Sequence, residues 1–324
     1  MKMKFTALMG IALFSTTVLA QQKLVLGHGA APGNPRHEAA VFFADKVKEK
    51  SGGRMEVQVA PSAQLGDDAA MVTSLRSGSL DMSANSQGAV SNVVPEYAAF
   101  GMPFLFSNLN AAWRVLDGPL GKELAQKSEE KGLVVLGYWD NGIRQMSNSK
   151  KPILTPDDLK GMKMRTPPDP VTVDIMKSVG ADPQQIKFAE LYVALQQGVV
   201  DGQENPLMNI HASKLHEVNK FISLTGHKYE MTPFLMSKRT WDRLSAAERK
   251  VIQDAASEAT ALQRKLSAEA DTRLIGELRS AGVRVDTVNQ APFAKATESV
   301  TQKWYSSPIG DYVKRVVAAA RTSK

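Results

Sequence analysis

Between Lys23 and Leu80 the chain alternates strand, helix, strand, helix, and this order constrains its fold more than any other feature of the sequence. Lys23-Leu-Val-Leu-Gly-His-Gly29 suits a strand, and Asn34-Pro35 opens a helix whose apolar residues Ala40, Phe43, Ala44 and Val47 recur at helical spacing. Ser51-Gly52-Gly53 stops it. Met55 to Val59 alternates apolar and polar as a strand does, Pro61 breaks the run, and a second helix is predicted from Asp67 to Arg76. Such an alternation implies an α/β fold, with parallel strands under covering helices.

Residues 1–20 do not belong to that pattern. Lys2 and Lys4 precede an apolar run from Phe5 to Phe14 that is too short to span a bilayer, and Val18 and Ala20 sit at -3 and -1 of a cleavage point before Gln21. A secretory signal peptide is expected over 1–20, with the mature chain in the periplasm. Further on, no apolar stretch is long enough to hold it in a membrane. The absence of cysteine among the 324 residues excludes a lipid anchor on cysteine, disulfides, thiolate metal sites and thiol nucleophiles. A mature chain of roughly 300 residues exceeds what one core usually serves, so two lobes are expected.

The precursor's formal charge of +7 falls to +5 without Lys2 and Lys4. The charges are dispersed and not interleaved with aromatics, which argues against nucleic-acid binding and leaves small anions as partners. Further along, Leu75-Arg-Ser-Gly-Ser-Leu-Asp81 and Leu195-Gln-Gln-Gly-Val-Val-Asp201 share Leu-x-x-Gly-x-[Leu/Val]-Asp, each with glycine as the cap of a predicted helix. Two similar halves or two similar caps explain the echo equally well. Gly132 to Asp140 reads as a buried strand leading into a polar loop, Asn141-Gly-Ile-Arg144, while Met162 to Arg165 reads as a strand running into Thr166-Pro-Pro168. Ser245 and Glu248 form a capping box, after which a helical pattern free of proline and glycine reaches Ile275. A helix that long is expected to bridge both lobes.

Enzyme signatures are missing. Gly27-His-Gly-Ala-Ala-Pro-Gly33 follows a strand, but its third glycine falls one residue late for a dinucleotide loop and Pro32 removes an N–H. No P-loop, H-E-x-x-H or G-x-S-x-G occurs, and the five histidines are scattered, so no metal or cofactor is expected. Arg165, at a strand end before two prolines, is a different signal: a planar fork of donors, matched to a carboxylate, on a stiffened support. On residue type alone a solvated ion pair is its commoner role.

Six ordered segments change that balance. Pro61-Ser-Ala-Gln-Leu-Gly-Asp-Asp68, Leu80-Asp-Met-Ser83, Pro103-Phe-Leu-Phe106, Asn141-Gly-Ile-Arg144, Gly161-Met-Lys-Met-Arg-Thr-Pro167 and the run from Phe188 to Asn205-Pro206 resemble the DctP-like extracytoplasmic binding proteins of tripartite ATP-independent periplasmic (TRAP) transporters. The resemblance implies a two-lobed periplasmic binding protein, not an enzyme. Each lobe would be a mixed sheet covered by helices, with TRAP membrane permease subunits as partners. Lobe I would comprise 21–142 plus about 230–265, and lobe II 143–229 plus about 266–324. Arg165 falls on the family's carboxylate-clamping arginine and Asn205 on its ligand-bonding asparagine. Arg144 matches a second contact to the acid and Phe188 an aromatic packed on the ligand body. Asp68, Asn85 and Ser86 lie where hydroxyls are read, and His28 faces the expected cleft. Asn85 replaces a carboxylate found in some sialic-acid binders, which disfavours that ligand. A sugar acid, hexuronate or aldonate, is the expected ligand, with a C4-dicarboxylate as the alternative. A periplasmic enzyme acting on sugar acids and a subunit feeding a sensor are the rival functions.

Overall fold

The computed structural model describes residues 21–323; the expected signal peptide lies outside the described residues. The chain opens with β1 (Gln22–His28), α1 (Pro35–Lys50), β2 (Met55–Ala60), α2 (Asp68–Ser77), β3 (Met82–Ala84) and α3 (Gln87–Ser91). After a 3-10 turn come α4 (Leu109–Leu116), α5 (Pro119–Glu130) and the long β4 (Leu133–Asn148). The second half brings β5 (Lys163–Thr166), α6 (Pro170–Ser178), β6 (Asp182–Gln185), α7 (Leu191–Gln196), β7 (Gly202–Pro206), α8 (Leu207–Ala212) and β8 (Phe221–Ser237). The last elements are α9 (Lys238–Arg243), α10 (Ala246–Ser280), β9 (Arg284–Thr287), α11 (Gln290–Tyr305) and α12 (Gly310–Thr322).

The sheet runs in the order β2-β1-β3-β8-β4-β7-β5-β6, with β9 beside β8. Read from either end, the order has one construction: two parallel pairs, then an antiparallel join to a long strand. The sequence echo marks the equivalent positions. Asp81 accepts from the Val25 N–H at 2.9 Å and Asp201 from the Lys163 N–H at 2.9 Å, so each carboxylate ties the end of its helix to the neighbouring parallel strand. The glycines before them, Gly78 and Gly198, both take positive φ, +82° and +69°. Asn85 and Asn205 stand four residues after these aspartates, and each amide donates two residues back, to Ser83 and to Gln203.

Three cores sit under this sheet. One gathers Phe43, Trp139 and Phe234 beneath α1 and the start of α10; another gathers Leu191, Leu207 and Ile210 with Leu274 and Leu278 at the end of α10; a third lies under α4, α6, α11 and α12. α10 joins the first two. Its middle is polar: the Gln263 amide accepts from the Asp140 N–H at 2.8 Å and donates to the Asp140 carbonyl at 2.8 Å, clipping the helix to the irregular stretch of β4. α12 packs on α4 and α5, with the Tyr312 hydroxyl donating to Leu120 O at 2.7 Å and Arg315 paired with Glu123 at 2.7 Å.

Two expectations are corrected. Asn141 to Arg144 is not a loop; it continues β4 alongside β8, with register shifts at Asp140/Gly142 and Arg144/Met146, and β7 pairs with β4 from Arg144 onward. Asn-Gly usually signals a turn, but here Gly142, at φ +114°, absorbs a bulge opposite Glu230 while pairing with β8 carries the strand on to Arg144, where β7 joins its other edge. The spine helix also passes Ile275 and ends at Ser280. Gly276 costs about 1 kcal/mol within a helix, less than the burial of Leu274 and Leu278 on either side returns.

Candidate ligand-binding cleft

A cavity of about 350 Å³ lies where the ends of β5 and β7 meet the loops after β1, β2 and β3. It receives Asp68, Ser86, Arg144, Arg165, Phe188 and Asn205 from the residues expected on sequence grounds. Asn85 and His28 do not line it. Both are fully buried behind the wall: Asn85 turns its amide to Ser83 at 2.6 Å, and the His28 ring faces His37 at 3.4 Å. Burial, then the charges on Arg36 and His37, pushes the His28 imidazole down to about 3, so it stays neutral.

Arg165 is held between β6 and β7 in register with Gln184 and Gln203. It is only 2% exposed, its Nε donates to Ile186 O at 2.8 Å, and its guanidinium lies 5.8 Å from the Phe188 ring centroid. Among the described residues neither terminal nitrogen has an acceptor. Burial, partly offset by Glu204, lowers this guanidinium to about 10, which leaves it charged near neutrality. The backbone and the aromatic thus fix one edge of the fork and leave the other open to the cavity.

Arg144 is bound differently. Its Nε and Nη2 contact the Glu204 carboxylate, the latter at 2.8 Å, Nη1 contacts Glu230, and Nη2 reaches Asn205 Oδ1 at 3.3 Å. Burial lowers its pKa, but Glu204 and Glu230 outweigh that and hold it above the ordinary arginine value. Burial likewise works to raise Glu204, yet Arg144 and His227 carry it down to about 2. Arg144 therefore lines the cavity with its charge already matched twice.

The sequence reading missed Arg36, Asn209 and Glu230. Arg36 follows the helix-opening Asn34-Pro35, a place where arginine usually faces water. Here it is buried, its Nη2 donating to Asn141 Oδ1 and to Thr232 Oγ1, both at 2.8 Å, while Nε has no partner. Asn209 links Asn205, Asn141 and Asn34 at 3.1, 2.9 and 2.8 Å, joining α8, β4 and the start of α1 into one polar wall. Two buried carboxylate oxygens in the cavity wall, Asp68 Oδ1 and Glu230 Oε1, also lack a donor.

Residues 26–307 match the profile of bacterial extracellular solute-binding protein family 7, DctP. The chain belongs to this family. An uncharacterized relative from Sinorhizobium fredii is 56% identical over 288 residues, which are 89% of this chain but only 53% of that longer protein. The DctP-like chain is also 35% identical over 305 residues to the 2,3-diketo-L-gulonate-binding periplasmic protein of Escherichia coli, covering 94% of this chain and 90% of that one. Among solved structures it superposes on a sugar acid binding protein of Advenella mimigardefordensis in complex with galactonate, with TM-score 0.92, 34% identity, and coverage of 94% and 100% of the two chains. A TRAP periplasmic solute binding protein of Sulfurospirillum deleyianum with bound succinate gives TM-score 0.88, 35% identity, and coverage of 93% and 99%. This DctP-like chain thus shares their two-lobed α/β architecture, and its own α10 runs for 35 residues. No helix among its described residues is long and apolar enough to cross a membrane.

The two sides of the cleft touch at its mouth. Lys187 pairs with Asp67 at 2.9 Å, Asn92 donates to Pro168 O at 3.0 Å, and a Cβ on Gly88 would lie 2.4 Å from the Asp169 Cβ. Gly88→Ala is therefore expected to wedge α3 away from the start of α6. Overpacking of this kind costs roughly 1–3 kcal/mol, so the variant should unfold at a lower urea concentration than wild type. An unchanged midpoint would show that α3 and α6 part here without cost.

Proposed function

We propose that this protein captures a small sugar acid, an aldonate or hexuronate, and closes around it for delivery to the membrane permease of a TRAP transporter. The observation that carries this reading is the open fork of Arg165, an unneutralised buried cation whose two free nitrogens face the cavity. A carboxylate is the group that satisfies it bidentately. Asp68 Oδ1 and Glu230 Oε1 need donors, which hydroxyls supply and a second carboxylate does not. Galactonate in the Advenella structure and the diketogulonate named for the Escherichia relative are acids of this kind. The chain would act in the periplasm, and its family is one of transport-associated binding proteins, so we adopt binding without turnover.

A second reading, a C4-dicarboxylate held at both ends, is favoured by one observation: Arg36 is another cation at the cavity that makes no salt bridge among the described residues. The succinate bound by the Sulfurospirillum protein is of that class. We divide the lobes near Asn141–Arg144, where β4 is irregular, with 21–142 and about 230–265 in the first and 143–229 and about 266–309 in the second. α12 joins the first, because it packs on α4 and α5.

The test is a thermal-shift and calorimetric screen of aldonates, hexuronates and C4-dicarboxylates on the mature chain. An acid at 100 times its Kd should add about 2.7 kcal/mol of stability. Small-angle scattering with the same acid should report a smaller radius of gyration, and slower hydrogen exchange should appear at 164–167 and 203–206. Tight binding of succinate with no response to any sugar acid would select the second reading, and chemical conversion of the acid on incubation would reject a pure binding role.

A further inference from the structure

A second cavity, of about 260 Å³, lies where the start of α1 meets α8 and the latter part of α10. No residue of α10 lines the first cavity, yet the stretch 29–36 and α8 each contribute to both. Ala30, Arg36 and Asn209 face the first, while Pro35, Met208 and His211 face the second. The Asn34 amide donates to Asn209 Oδ1 at 2.8 Å and fastens that stretch to α8. The floor of the second cavity is apolar, with Pro35, Met208, Ala270 and Leu274 all buried. Its rim is basic. His211, Lys214 and Arg273 are all partly or largely exposed, and no acidic residue lines the space.

The three basic groups are not equivalent. Glu277, outside the lining, accepts from Arg273 Nη1 at 2.7 Å and lies 3.3 Å from His211 Nε2, so one carboxylate already serves both. Burial, partly offset by Glu277, lowers the His211 imidazole below its ordinary value, so it adds no charge at neutral pH. Lys214 differs: among the described residues its ammonium has no acceptor, and its backbone sits at φ +56°, a region that lysine rarely adopts. One uncompensated cation above an apolar floor matches an anion whose body carries no hydroxyls. A sugar acid fits poorly, since its hydroxyls would find no partner on that floor. We infer that this cavity is a second ligand site, for a small carboxylate with an aromatic or alkyl body, its carboxylate on Lys214 and its body against Met208 and Leu274. On the lobe division proposed above, Pro35 belongs to one lobe and Met208, Lys214 and Leu274 to the other. An occupant therefore joins the two lobes as they stand with the cleft closed. Binding at either site then strengthens binding at the other by the same factor.

The site itself does not depend on which acid fills the cleft; only its linkage rests on closure. Benzoate is the probe, titrated by calorimetry into wild type, Lys214→Gly, Ala212→Phe and Arg165→Ala, with thermal melting as the check on folding. Glycine suits φ +56° and removes the ammonium, so Lys214→Gly should fold as wild type does and bind benzoate about tenfold more weakly. Ala212 lines the cavity from a half-exposed place on α8, so a phenylalanine ring there should fill the space and abolish binding. If Ala212→Phe melts early, Lys214→Gly decides alone. Benzoate uptake unchanged in Lys214→Gly, or absent from wild type, overturns the site. Arg165→Ala should bind benzoate as wild type does, and a loss there would place benzoate in the cleft and overturn the second site. Inorganic phosphate, which has charge but no apolar body, should bind more weakly, and binding as tight as benzoate's overturns the carboxylate assignment. With the tightest acid of the screen above at saturation, benzoate affinity should rise about fivefold or more, and an unchanged value overturns the linkage.

Discussion

An Arg165→Ala protein is expected to lose roughly 2–5 kcal/mol of binding free energy, a drop of about thirtyfold or more, because the ligand's carboxylate stays desolvated with no counter-charge. Arg165→Lys should restore only part of the loss. An ammonium on a flexible stem cannot make the two-pronged contact, nor can it bond Ile186 O as the Nε does at 2.8 Å while reaching the ligand. Folding should survive either change, since Arg165 neutralises no carboxylate of its own. Affinity within threefold of wild type for Arg165→Ala would remove this residue from the site.

Arg144→Ala should fail in the opposite way. Removing it strands Glu204 and Glu230 as buried charges without their counter-ion, and breaking a buried pair of this kind typically costs about 3–5 kcal/mol of stability. Urea unfolding should show the loss even without ligand. Replacing Glu204 and Glu230 with Gln in the same protein should recover much of it. The pH dependence follows from Glu204, whose folded pKa of about 2 lies below its ordinary 4.5. Its contribution is complete above about 4.5 and disappears as pH falls towards 2, and in Arg144→Ala this acid-side slope should flatten. If Arg144→Ala keeps full stability but loses affinity as Arg165→Ala does, Arg144 is the second ligand contact that the resemblance implies.

Much of this was legible in the chain. Helix starts came through because capping is local: Asn34, Asp67 and Ser245 each accept from a backbone N–H just inside the helix they open. Arg165 stood out because the prolines after it are also local. The occupied state of Arg144 was hidden, since its partners lie 60 and 86 residues away on β7 and β8, and nothing around Asn141-Gly-Ile-Arg144 betrays them. Arg36 was hidden for the same reason, as Asn141 and Thr232 reach it from 105 and 196 residues further on. Asn205 and Asn85 carry the same signal and occupy equivalent strand ends, yet only Asn205 reaches the cavity. Position within a repeated motif predicted the backbone better than it predicted exposure to ligand.

The strand order has a consequence for how the chain comes together during synthesis. β3 finds its inner neighbour only in β8, which ends at Ser237, and β7 finds its own in β4, made long before it. In the first 130 residues β1, β2 and β3 have one another as parallel partners, but the inner edge of β3 has its partner only in β8. Pairings this distant in sequence are slow to close. Neither half is then a complete folding unit, and a fragment cut at Gly142 would carry an open strand edge on each piece, an invitation to aggregate.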